Sequence, residues 1–108
     1  MTLTAEQKTF FAENGYLPYD RVLTGEELEA LRRRSEDIAE GRLTHLPPQY
    51  IQLEAAFRDA KDAAPRLDTV RKMTHLCYYD DIFKPIAQKA AIVDIIEDLL
   101  GPNIKLYI

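Results

Sequence analysis

The sequence predicts a helix-rich α+β fold in a single domain over residues 1–108, and three observations carry that expectation. Thr4-Ala5-Glu6-Gln7 and Thr24-Gly25-Glu26-Glu27 are both capping boxes, in which a threonine hydroxyl and the side chain three residues on each satisfy the other's backbone N–H. Residues 70–76 alternate with the period of two that a strand requires. An apolar stretch carrying Ile92, Val93, Ile95, Ile96, Leu99 and Leu100 reads as a helix that stops at Gly101-Pro102, and a second alternating stretch follows.

Taken in order, residues 1–41 hold two capped helices with a short strand between them. The first carries Phe10 and Phe11 and ends at Asn14-Gly15, where glycine accepts a left-handed backbone. Tyr16-Leu17-Pro18-Tyr19 is extended, and Pro18 assigns it to a sheet edge because it removes a ladder donor. The second helix runs to about Glu40 and is closed by Gly41. Leu28, Leu31 and Ile38 share its apolar face, while Glu29 and Arg33 pair outside at i,i+4 spacing.

Residues 42–66 are loop-rich. Pro47-Pro48 excludes a helix, residues 49–53 alternate as a short strand, and residues 54–64 form either a loose helical turn or a loop that Pro65 ends. Residues 67–108 hold the strand at 70–76, a helix capped by Asp80 or Asp81, the apolar helix, and a final strand. Pro85 lies in the first turn of the capped helix, where its missing N–H matters least, with Ile82, Phe83, Ile86 and Ala87 as the buried stripe. A break near Lys89 divides this helix from the next, unless the two are one bent helix. In the final strand Lys105 and Tyr107 share one face, and Ile104, Leu106 and Ile108 the other.

Composition narrows the function classes. With 46% apolar and 30% charged residues the chain is an ordinary globular one, and its net charge of -4 supplies no electrostatic reason to bind nucleic acid. One cysteine, Cys77, makes no internal disulfide and fits a reducing compartment. No stretch approaches the roughly 18 apolar residues of a membrane span, and no leader is evident, so a soluble cytoplasmic protein without membrane partners is expected.

Few residues carry chemistry on their own. His45 sits in a loop between Thr44 and Leu46-Pro47 without acids at ligand spacing and reads as an exposed loop residue. On the strand reading His75 and Cys77 face one way close to Asp80 and Asp81. Two soft ligands without a second pair make a poor metal site, so a buried, hydrogen-bonded histidine and an inert thiol are the expectation. The run Arg32 to Arg34 reads as a solvated helix face, and Ser35 as a mid-helix residue. No Gly-rich phosphate loop occurs. Lys72 lies inside a half-apolar strand, where it either snorkels at an edge or meets an anion.

Four stretches in order resemble the phytanoyl-CoA dioxygenase family. They are Leu3-Thr4-Ala5-Glu6-Gln7 with the later Asn14-Gly15-Tyr16-Leu17; Val22-Leu23-Thr24-Gly25-Glu26-Glu27-Leu28; Arg71-Lys72-Met73-Thr74-His75 followed by Asp81-Ile82-Phe83; and Leu100-Gly101-Pro102-Asn103-Ile104. The resemblance covers nearly the whole chain and is weakest over residues 42–66. It implies an oxidoreductase, a non-haem Fe(II), 2-oxoglutarate-dependent dioxygenase on a double-stranded β-helix of jelly-roll or cupin type, which hydroxylates a small organic or acyl-CoA substrate.

The family's iron sits in a His-x-Asp/Glu…His triad, and this sequence contains no His-x-Asp or His-x-Glu. The expectation is therefore the N-terminal portion of such an enzyme, truncated before most of the β-helix core. Residues 103–108 would be the first core strand. No catalytic or metal-ligating residue is assigned, and the chain alone is expected to bind neither Fe(II) nor 2-oxoglutarate productively. The resemblance matches Lys72 to a lysine that reaches the 2-oxoglutarate carboxylate in some members. Arg71 and His75 match positions near the pocket. The rival expectation, from another class, is a noncatalytic α+β domain that associates with itself or a partner through its C-terminal strand.

Overall fold

The computed structural model describes residues 2–58 and 66–107. Helix α1 spans Ala5–Asn14, and α2 spans Gly25–Ala39. Both start as their capping boxes require: Thr4 Oγ1 accepts from the Gln7 amide at 3.1 Å while Gln7 Oε1 accepts from the Thr4 amide at 2.9 Å, and Thr24 with Glu27 repeats the pattern at 3.1 and 2.8 Å. Gly15 ends α1 at φ 78°, and Gly41, at φ 77°, follows the close of α2. Glu29 and Arg33 pair across the outer face of α2 at 3.7 Å.

The extended stretch after α1 joins no ladder among the described residues, which corrects the edge-strand expectation for residues 16–19. Its packing explains why. Leu17, Tyr19 and Val22 line an apolar groove with Phe11 and with Ile92, Ile95, Ile96 and Leu99, so the segment lies against helices, where no strand is available to pair with it.

A two-stranded antiparallel sheet joins β1 (Ile51–Leu53) and β2 (Val70–Met73). A 3-10 turn at Pro48–Tyr50 precedes β1, so the strand starts later than the alternation at 49–53 suggests. Ile51 pairs with Met73 and Gln52 with Lys72, but Leu53 pairs with Val70, which leaves Arg71 as an extra residue in a bulge. The bulge breaks the simple alternation, and Arg71 and Lys72 are both exposed. Of the undecided stretch 54–64, Ala55–Phe57 forms a single 3-10 turn, and residues 59–65 lie outside the described ones.

Strand β2 ends at Met73, not at Leu76. His75 turns into the left-handed region at φ 63°, and a one-turn helix α3 (Leu76–Tyr79) follows. Helix α4 (Phe83–Ala87) and helix α5 (Ala90–Leu100) are separated at Gln88 and Lys89, as the break near Lys89 anticipates. The expected stripe on α4 is not sealed: Ile82 is exposed, and Phe83, Ile86 and Ala87 are half-buried. Gly101 closes α5 at φ 92°. Residues 103–107 form no strand among the described residues, because no ladder partner lies beside them.

Long-range contacts tie the helices together at both ends of α5. The Asp98 carboxylate accepts from the amides of Thr2 at 2.5 Å and Leu3 at 2.8 Å, pinning the start of the chain to α5. Lys89, preceding α5, donates to Glu27 in the first turn of α2. Among the described residues the buried apolar side chains are Leu3, Ile38, Ala39, Leu46 and Ile95. The radius of gyration is 17.1 Å, against about 13 Å for a compact domain of this length. So small a core, in so extended a unit, leaves broad apolar faces uncovered. Among the described residues no helix is long and apolar enough to cross a membrane.

Candidate functional site

The most heavily engaged ionisable group described is Asp80. It is 1% exposed, between α3 and α4, and four donors converge on its carboxylate. Oδ1 accepts from Arg34 Nε and from His45 Nε2, each at 2.6 Å; Oδ2 accepts from the amides of Ile82 at 2.9 Å and Phe83 at 3.0 Å. Because an ionised carboxylate only accepts, His45 presents its Nε2 proton to it. Burial pushes the Asp80 carboxyl upward. The Arg34 guanidinium, the Phe83 and Ile82 amides and His45 outweigh that and hold it below the ordinary carboxylate value.

His45 is an exposed loop residue, as expected, but its ring is fastened to an acid 35 residues away. Arg34 does not belong to a fully solvated face, since its side chain is 28% exposed and its guanidinium points at Asp80. A sequence signal for Arg34 existed. It lies three residues after Leu31 and four before Ile38, on the apolar face of α2, where a lone arginine needs an acid. Of the two candidate caps, Asp80 performs the role, because both amides at the start of α4 donate to it.

The cluster resembles the acid–imidazole half of a nucleophilic triad only in outline. Both carboxylate oxygens are occupied, and the lowered pKa makes Asp80 a weak base. Neither obvious hydroxyl nor thiol completes the set: Ser35 Oγ donates to the Leu31 carbonyl at 2.7 Å, and Cys77 Sγ to the Phe83 carbonyl at 3.9 Å. The arrangement ties α2, the loop carrying His45, and the start of α4 into one unit.

His75 and Cys77 do not share a strand face. The left-handed turn at His75 takes its ring onto Tyr50, with centroids 3.9 Å apart and planes 24° apart, while Cys77 lies in α3 facing the Phe83 carbonyl. Thr74 Oγ1 lies 3.1 Å from His75 Nδ1. Burial first, and then the Asp80 charge, push the Cys77 thiol up, away from the reactive thiolate. Hydrogen bonding with Tyr50 raises the Tyr79 phenol. Tyr50, His75, Tyr78 and Tyr79 thus form one aromatic cluster at the end of β2.

Lys72 lies across from Gln52 on the exposed face of the two-stranded sheet and makes no ion pair among the described residues. No three His, Cys, Asp or Glu side chains among the described residues are placed to share a metal ion. No family model matches the chain, and no curated protein or solved structure matches it.

Proposed function

We propose that this chain is the N-terminal part of an Fe(II)/2-oxoglutarate-dependent dioxygenase that hydroxylates a small organic or acyl-CoA substrate. The observation that carries the reading is the uncovered architecture. Five apolar side chains are buried among the described residues, while Phe11, Leu17, Ile92, Ile96 and Leu99 line an open groove and residues 103–107 join no ladder. A unit of helices with so little core, next to an unpaired segment of alternating sequence, suits one flank of a larger sheet. The order of capped helix, second capped helix, Lys72 strand and Gly101-Pro102 turn, on which the resemblance rests, agrees with this assignment.

The described residues do not fit the iron. The one histidine–carboxylate contact, His45 to Asp80, has both carboxylate oxygens taken by other donors. No chemical step therefore runs through a metal on these residues. In this reading Lys72 contributes its ammonium to the 2-oxoglutarate carboxylate, and its freedom from ion pairs among the described residues leaves it available for that role. A cytoplasmic location belongs to the same proposal and rests on the single cysteine.

The test is the coding sequence beyond Ile108. A His-x-Asp or His-x-Glu within a few tens of codons, followed by a distal histidine, is expected, and an uninterrupted frame lacking both would overturn the assignment. For the 108 residues alone, Fe(II), 2-oxoglutarate and ascorbate should yield no succinate above a metal-free control.

A second reading is a noncatalytic domain that associates with another copy through residues 103–107. It is favoured by Leu106 and Tyr107, 51% and 87% exposed on a segment that joins no ladder among the described residues. Light scattering separates the two: a sharply defined dimer supports the binding module, and monomer with ill-defined aggregate supports the enzyme fragment.

A further inference from the structure

Two adjoining cavities open between α3, α4 and residues 103–107, with volumes of about 680 Å³ and about 290 Å³. They share Tyr78, Lys105 and Leu106, so they form one groove with two lobes. The larger lobe adds His75, Tyr79 and Tyr107; the smaller adds Lys84, Gln88 and the apolar wall of Ala87.

The lining is chemically one-sided. In a chain with net charge -4, the groove presents Lys84, Lys105 and His75 and, among the described residues, no carboxylate. Neither lysine makes an ion pair among the described residues, whereas Arg34, Arg42 and Lys89 are all matched to acids. The nearby Asp80 offers no compensation, because its carboxylate is buried and committed to Arg34, His45 and two amides. The other half of the lining is aromatic and open: Tyr78 is 64% exposed and Tyr79 43%. His75 backs this surface, stacked on Tyr50 and held in a left-handed backbone that a non-glycine residue rarely adopts.

We infer that this two-lobed groove binds a small organic anion with a flat ring. The ring lies against Tyr78, Tyr79 and Tyr107 in the larger lobe, where aromatic faces offer stacking, and the anionic group meets Lys84 and Lys105 in the smaller lobe. The larger lobe has the size of sites that enclose a small molecule. Lys72 lines neither lobe, so this site is separate from the proposed 2-oxoglutarate contact.

The experiment titrates the full chain with an aromatic sulfonate, 1-anilinonaphthalene-8-sulfonate, and with its neutral counterpart, N-phenyl-1-naphthylamine, following probe fluorescence. One saturable site is expected, with the anionic probe bound about tenfold more tightly than the neutral one. Combining Lys84→Glu with Lys105→Glu should weaken the anionic probe about tenfold and leave the neutral probe within about twofold, since two exposed lysine contacts each contribute modestly. Tyr78→Ala should weaken both probes. Amide chemical shifts of the unsubstituted chain supply a readout that needs no variant: perturbations at Tyr78, Lys84, Lys105 and Tyr107 are expected. Equal affinity for the two probes, insensitivity to the double charge reversal, or shifts centred on the Phe11, Ile96 and Leu99 groove would each overturn the assignment.

Discussion

His45 Nε2 lies 2.6 Å from Asp80 Oδ1, although 35 residues separate the two in sequence. Arg34 reaches the same oxygen from the middle of α2, and the amides of Ile82 and Phe83 take the other. Asp80 is thus the point at which three distant parts of the chain are joined, and the first predictions concern it.

Asp80→Asn keeps the size of the side chain but removes the charge and turns one acceptor into a donor facing other donors. A destabilisation of about 2–3 kcal/mol is expected in urea unfolding, below the full range for a broken buried pair because Arg34 retains access to water. His45→Ala should cost about 1 kcal/mol. The double variant should cost less than the sum of the singles, because both remove the same contact. Strict additivity would show that His45 and Asp80 are neighbours without being coupled.

Acidification tests the same group by a different route. The folded-state pKa of Asp80 lies below the unfolded one, so the stability it contributes is complete above about pH 5 and is lost as pH falls through the unfolded and then the folded value. Asp98, lowered chiefly by the Leu3 amide, and Glu27, lowered chiefly by Lys89, act in the same direction. Circular dichroism between pH 7 and pH 2 should show stability falling only on the acid side of that limit as far as these carboxylates are concerned. Asp80→Asn should make the acid limb shallower. An acid limb identical to that of the unsubstituted chain would falsify the assignment.

The capping boxes predict local effects. Thr4→Ala and Thr24→Ala should each cost about 1 kcal/mol, and the serine substitutions should recover most of it. Thr24 has a wider reach. Its partner Glu27 also holds Lys89 at the start of α5, so Thr24→Ala should loosen amide protection in α5 as well as α2. Thr4→Ala should loosen α1 without affecting α2.

Lys72→Ala should leave stability within about 0.5 kcal/mol, because the side chain is exposed and lies opposite Gln52. In the complete enzyme of the proposed class it should raise the KM for 2-oxoglutarate about tenfold, as loss of one charge-assisted hydrogen bond does. An unchanged KM would reduce Lys72 to an ordinary edge lysine.

The features legible in the sequence are those whose partners lie within one turn. Thr4 with Gln7, Thr24 with Glu27, Gly15 and Gly41 at helix ends, and Glu29 with Arg33 could all be read because helix geometry alone brings residues three and four apart together. The break at Lys89 followed from the same local logic. Tertiary structure alone decided the rest. The bulge at Arg71 depends on how β1 meets β2, and the turn of His75 out of the strand on the ring of Tyr50. Residues 16–19 and 103–107 have strand-like patterns, yet a strand exists only where a neighbour accepts its backbone hydrogen bonds, and neither has one among the described residues. Arg34, His45 and Asp80 illustrate the limit most clearly. Each has an unremarkable local context, and their meeting is set by how α2, the loop at His45 and the turn between α3 and α4 come together, which no short sequence window contains.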